Sequence, residues 1–92
     1  MANAIVQGVM ILDSVATVTA NQYLVTGFRY VSAAAAAGDE CKITDTAGKV
    51  WFDSVATGAD WEDAQTINTG GIPIAGIKVA TLTSGTCYVY FK

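Results

Sequence analysis

Histidine is absent from the chain, and with it go the commonest general acid–base group and the usual partner of cysteine in zinc sites. The two cysteines, Cys41 and Cys87, each sit inside an apolar run and form no Cys-x-x-Cys spacing. They read as buried reduced thiols acting as small hydrophobes, with a Cys41–Cys87 disulfide as the open alternative, since both lie in stretches that pair as hairpins. Positive charge is also scarce. Arg29, Lys42, Lys49, Lys78 and Lys92 are dispersed and the net charge is −3, so no phosphate-neutralising patch exists and nucleic acid is not an expected partner. No apolar run reaches the roughly 20 residues that a helix needs to cross a bilayer, which leaves no expected membrane partner. The apolar run Ile5 to Leu12 follows no basic stretch and precedes no cleavage-site pattern, so no signal peptide is expected.

What the chain does contain is apolar surface. Hydrophobic residues make up 52% and charged residues 14%, against about 25% charged in ordinary soluble domains. A single β domain over residues 1–92 buries only about 60–65% of the surface that its unfolded chain exposes. The surplus apolar side chains therefore have to cover an interface with another copy or another protein.

The stretch Cys41 to Phe52 has the form of a β-hairpin. Two runs rich in β-branched and aromatic residues flank Asp45-Thr46-Ala47-Gly48, where aspartate can bond its own backbone and glycine can adopt positive φ. Ile5 to Leu12 reads as one strand, apolar on both faces, with Ile5, Val9 and Ile11 on one of them. Gln22 to Ser32 reads as a second strand with Leu24, Thr26, Phe28 and Tyr30 on one side, and Gly27 marks a bulge or a close backbone approach. Ala33 to Ala37 is too short to nucleate a helix and reads as a tight connection. Asp13 to Asn21 extends a strand or forms a loop, and Ala64 to Thr69 suggests a short strand. Gly70-Gly71 turns the chain into a longer strand, Ile72 to Leu82, whose Pro73 suits an edge position. Thr83-Ser84-Gly85 leads into the last strand, Thr86 to Lys92. Its alternation sets Cys87, Val89 and Phe91 against Tyr88 and Tyr90. The whole predicts an all-β fold, a small antiparallel sandwich or barrel of six or seven short strands, with Val50, Phe52, Cys87, Val89 and Phe91 in one core. The pentapeptide Asp-Ser-Val-Ala-Thr occurs twice, at 13–17 and 53–57, with unlike continuations, and reads as coincidence or similar loop chemistry rather than an internal repeat.

Chemistry is thinly represented. Asp60, Glu62 and Asp63 form the one dense carboxylate group and read as a solvated loop around Trp61, with a calcium site as the sharper alternative. No serine or threonine lies in a nucleophile motif, and neither Gly70-Gly71 nor Gly48-Lys49 has the spacing of a phosphate loop. Trp51 and Trp61 are candidates for a sugar-stacking surface. No catalytic residue, metal site or cofactor is expected. The interface candidates are the aromatic and aliphatic residues that alternation leaves opposite a core face: Trp51, Tyr88, Tyr90, Ile5, Val9 and Ile11.

From Gly27 onward the segments Gly27-Phe28-Arg29-Tyr30-Val31, the alanine run ending in Ala37-Gly38-Asp39, Ile43-Thr44-Asp45, Gly48-Lys49-Val50-Trp51, Gly76-Ile77-Lys78-Val79 and Gly85-Thr86-Cys87-Tyr88-Val89-Tyr90 together resemble a group of small β-rich virion proteins of tailed bacteriophages. These are strand-and-turn signals rather than a chemical signature. The resemblance implies a virion component, assembled in the host cytoplasm, that decorates or cements the capsid by binding the major capsid protein and its own copies, as a homotrimer by analogy. The alternative that it implies is a tail, neck or fibre component that binds a host-surface glycan.

Overall fold

The structure is a computed structural model and describes residues 3–67 and 70–92. Eight strands form one antiparallel sheet: β1 (Ala4–Val6), β2 (Val9–Leu12), β3 (Ala16–Ser32), β4 (Glu40–Thr44), β5 (Val50–Val55), β6 (Trp61–Thr66), β7 (Ile72–Leu82) and β8 (Thr86–Phe91). The strand order is β1-β2-β8-β3-β7-β4-β5, with β6 added beside β3. The all-β class is as expected from the sequence. The count is eight, however, and the 17-residue β3 is not short.

β3 organises the sheet because it has two lives. Val25 pairs with both Phe91 and Ile72, and Gly27 with both Tyr90 and Thr66, so β8 lies along one edge of β3 while β6 and then β7 line the other. Register shifts at Thr17/Thr19, Thr19/Gln22 and Val25/Gly27 bend it. Each bulge adds one unpaired residue and locally sharpens the twist. The bent sheet folds over a core of Met10, Leu12, Val25, Phe28, Tyr30, Ile43, Phe52, Ile74, Ile77, Val79, Val89 and both cysteines. Phe28 on β3 stacks on Phe52 on β5, ring centroids 5.3 Å apart, which ties the β5 end of the strand order to its central strand across that core.

Several expectations are corrected here. Ile5 to Leu12 is not one two-sided strand: Gln7-Gly8 turns it into a hairpin, Gly8 taking φ +82°, with Val6 opposite Val9. Only Met10 and Leu12 of the run are buried. Val50 leaves the expected core because a bulge opposite Ile43/Thr44 breaks the alternation of β5 and turns it outward, 47% exposed. Phe91 sits on the core face but at its margin, half-buried and edge-on to Tyr23. Leu24 does not share a buried face with Phe28, since the Val25/Gly27 bulge hands that place to Val25. The carboxylate group at 60–63 is not a loop, because β6 starts at Trp61. The two copies of the pentapeptide also differ, one entering β3 and the other leaving β5.

Other expectations stand. The β4–β5 hairpin, the bounds of β7 and the bulge at Gly27 are all present. Gly27 meets the close-approach condition as well, since a Cβ there would fall 2.8 Å from the Gln65 carbonyl oxygen. The first residues of β7 pair with β3 alone, so Pro73 has a flank on which no ladder bond is missed. Positions 68 and 69, the end of the strand expected over Ala64 to Thr69, lie outside the described residues.

Candidate interaction surface

Strand pairing decides which side chains share a face, because directly opposed residues point the same way. On the outer side of the sheet the register aligns Val6 with Val9, Val9 with Tyr90, and Ile11 with Tyr88. It continues from Tyr88 to Arg29 and from Tyr90 to Gly27. Beyond them lie Ala64 and Thr66 on β6. Met10, Leu12, Cys87, Val89, Phe28 and Tyr30 point the other way and are buried. Val6, Ile11 and Tyr90 are exposed and Val9 and Tyr88 half-buried, so the outer face carries an apolar strip across β1, β2 and β8.

Four of the six interface candidates, Val9, Ile11, Tyr88 and Tyr90, thus stand together. Ile5 does not join them. It opposes Met10 and so points to the inner side of β1, at the sheet edge, where it is 41% exposed. Trp51 is on β5, at the far end of the strand order. Its indole donates to Asp45 Oδ2 at 3.1 Å and the Lys49 ammonium lies 4.4 Å from its ring centre, so it packs down the hairpin turn. Val6 belongs to the strip and was not among the candidates, because the turn at Gln7-Gly8 that brings it opposite Val9 lies hidden inside an apolar run.

At the β3–β6 end the character of the face changes. Arg29 donates from Nε to Glu62 Oε2 at 2.7 Å, and its terminal nitrogen reaches the same oxygen. The pair is exposed, and Glu62 together with the Tyr90 hydroxyl holds the guanidinium above its ordinary pKa. Beside the pair, Gly27 and Ala64 leave a groove of about 480 Å³, walled by Tyr90 and rimmed by Thr26, Gln65 and Thr66. The chain matches no family model, and no curated protein or solved structure is detectably similar to it. Its surface has to be read from its own chemistry.

The three carboxylates that the sequence groups together are divided by the fold. Strand alternation sends Glu62 outward to Arg29 and Asp63 inward, where Ser54 Oγ donates to Asp63 Oδ2 at 2.8 Å and accepts from Trp61 Nε1 at 2.9 Å. Asp60 forms the turn before β6 with φ 56°, its N–H donating to the Ala33 carbonyl. Trp61 therefore bridges β6 to β5 rather than offering a free ring. Among the described residues no three metal-ligating side chains converge.

The buried polar groups serve the framework. Tyr30 donates its hydroxyl to the Ser84 carbonyl at 2.8 Å; Ser84 Oγ donates to Asp39 Oδ2 at 2.7 Å and lies 2.8 Å from Ser32 Oγ. With its one proton directed at Asp39, Ser84 must accept from Ser32. This chain clips the 83–85 turn to the alanine-rich connection, and the Ala36 N–H and Ser84 hold Asp39 below its ordinary pKa. Cys41 and Cys87 are free and fully buried; a hydrogen bond with Cys41, then burial, pushes the Cys87 thiol up. A thiol so placed has little thiolate character.

Proposed function

We propose that this protein is a structural component of a tailed-bacteriophage virion, of the capsid-decoration kind, which binds the major capsid protein and its own copies through the outer face of β1, β2 and β8. The observation that supports the binding role is the strip of Val6, Val9, Ile11, Tyr88 and Tyr90, since contiguous exposed apolar surface on a small protein marks an interaction site. Tyrosine and aliphatic side chains are the residues that anchor such contacts, and burial of the strip adds stability to a small fold by mass action. The virion assignment rests on the resemblance of the segments from Gly27 onward.

The test is co-sedimentation of the purified protein with empty phage capsids, with the copy number per particle measured by quantitative mass spectrometry. The expected result is saturable binding at many copies per shell, lost in Ile11→Ser. A monodisperse monomer at high micromolar concentration that also fails to bind capsids would overturn the reading.

A further inference from the structure

The groove at the β3–β6 end of the outer face has a chemistry unlike that of the apolar strip. Gly27, with no side chain, and Ala64, with only a methyl, make its floor, and the Gly27 backbone cannot be filled in, because a Cβ would collide with the Gln65 carbonyl. The dent is thus built into the β3–β6 pairing. Its volume of about 480 Å³ lies in the range of small-molecule sites, roughly 300–1,000 Å³. Tyr90 forms one wall and is 36% exposed, so part of its ring is open to solvent.

Charge decides the class of occupant. Arg29 and Glu62 are paired with each other beside Tyr90. An anion would have to displace Glu62 and a cation would have to displace Arg29. A neutral ligand with adjacent hydroxyls displaces neither, because the guanidinium keeps further N–H donors and the carboxylate keeps further lone pairs, held in place by the pair itself. Thr66, opposite Gly27 on the same face, adds a hydroxyl on the rim. An apolar floor, an aromatic wall and a fixed donor–acceptor pair suit a molecule with one C–H face and one hydroxyl edge. We propose that the groove between Tyr90 and β6 binds a neutral saccharide, with its C–H face on the Tyr90 ring and vicinal hydroxyls on Arg29 and Glu62.

The site meets the docking strip at Tyr90 and otherwise uses different residues. Ala64 and Glu62 are on β6, whereas Val6, Val9 and Ile11 are on β1 and β2, at the other end of the face. Residues that only one site uses therefore separate the two roles: Ile11→Ser should leave saccharide binding unchanged, and Ala64→Phe should leave capsid binding unchanged.

Ligand-observed saturation-transfer NMR tests the proposal on the full chain, with a panel of neutral hexoses, N-acetylhexosamines and their disaccharides at millimolar concentration, together with sialic acid and a sulfated hexose. Two variants probe the site. Tyr90→Ala removes the wall, and Ala64→Phe fills the groove from an exposed position without entering the core; circular dichroism checks that both stay folded. The expected result is saturation transfer from at least one neutral sugar, weakened about tenfold or more in both variants, as loss of an aromatic wall or of the space itself should produce. Silence across the neutral sugars, a signal that survives both variants, or a preference for the anionic sugars would each overturn it.

Discussion

Two hairpins close the two ends of the strand order, and they are built with the same device but invested differently. In β4–β5, the Asp45 carboxylate accepts from the Ala47 and Lys49 N–H groups, both at 3.0 Å, and from the Trp51 indole, while Gly48 takes φ +94°. In β1–β2, Asn3 does the clipping from the open end: its Oδ1 accepts from the Asp13 and Ser14 N–H groups at 2.8 and 3.0 Å, and its Nδ2 donates to the Ser14 carbonyl. A single short polar side chain satisfies several backbone groups in each. The difference is burial. Cys41, Ile43, Thr44, Phe52 and Ser54 of one hairpin are buried, against only Met10 and Leu12 of the other. One hairpin supports the fold, and the other presents surface.

The strongest test of that contrast is Phe52→Ala. It removes a buried ring stacked on Phe28 and should cost about 3–5 kcal/mol in denaturant unfolding. A loss below about 1 kcal/mol would show that β4–β5 does not anchor the core. Next comes Asn3→Ala, which strips the clip from β1–β2 and leaves backbone groups of Asp13 and Ser14 without their partner. A cost of about 1–3 kcal/mol is expected, with faster hydrogen exchange confined to β1 and β2. Exchange that also quickens in β4 would mean that the two ends are not independent.

The third test uses pH. Backbone N–H groups, led by that of Lys49, and the Trp51 indole lower the pKa of Asp45 from its ordinary 3.8. A carboxylate whose folded pKa is depressed stabilises above the unfolded value, and that contribution disappears as pH falls through the folded one. Asp39 behaves in the same sense. Glu40 runs the other way: a hydrogen bond with Asp53 raises its pKa, so its contribution is present below the ordinary 4.5 and is lost as pH rises through the folded value. Asp45→Asn isolates one of these groups. The stability gap between wild type and this variant should be steady at neutral pH and shrink as pH falls below 3.8, measured by urea unfolding. A gap that stays constant into strong acid would remove the charge from the account of the turn.

The two hairpins also show what one chain can reveal without its fold. Asp45 and Gly48 advertise their turn because both are turn-forming types set between strand-like runs. Gln7-Gly8 does not, since the apolar residues on either side keep the look of an unbroken strand. The first half of β6, Trp61 to Asp63, escaped for the opposite reason. Its inward residues are Trp61 and Asp63, so it reads as polar loop until Ser54 is known to stand opposite as their partner. Bulges set by a neighbouring strand are invisible to a period of two, which is why Val50 and Leu24 were misplaced while Cys87 and Val89 were not. The same limit governs the surface. Tyr88, Tyr90, Val9 and Ile11 follow from alternation within short strands, but the groove exists only because Gly27 lies opposite Thr66.

The smallest expected effect is the most informative about the outer face. Ile11 is 37% exposed, opposes Tyr88 on β8, and alternates with Met10 and Leu12, which carry the burial of β2. Replacing it with serine removes apolar surface that is already largely wet and touches no buried polar group. Substitutions of that kind usually stay within about 0.5 kcal/mol of wild type. If the strip is an interface, the same change should lower self-association measured by sedimentation at high micromolar concentration, because there the side chain would move from water into a contact. Stability and association thus separate at one residue. A stability loss of about 2 kcal/mol or more, the range of core truncation, would place Ile11 in the framework instead and make β1–β2 as much a part of the core as β4–β5.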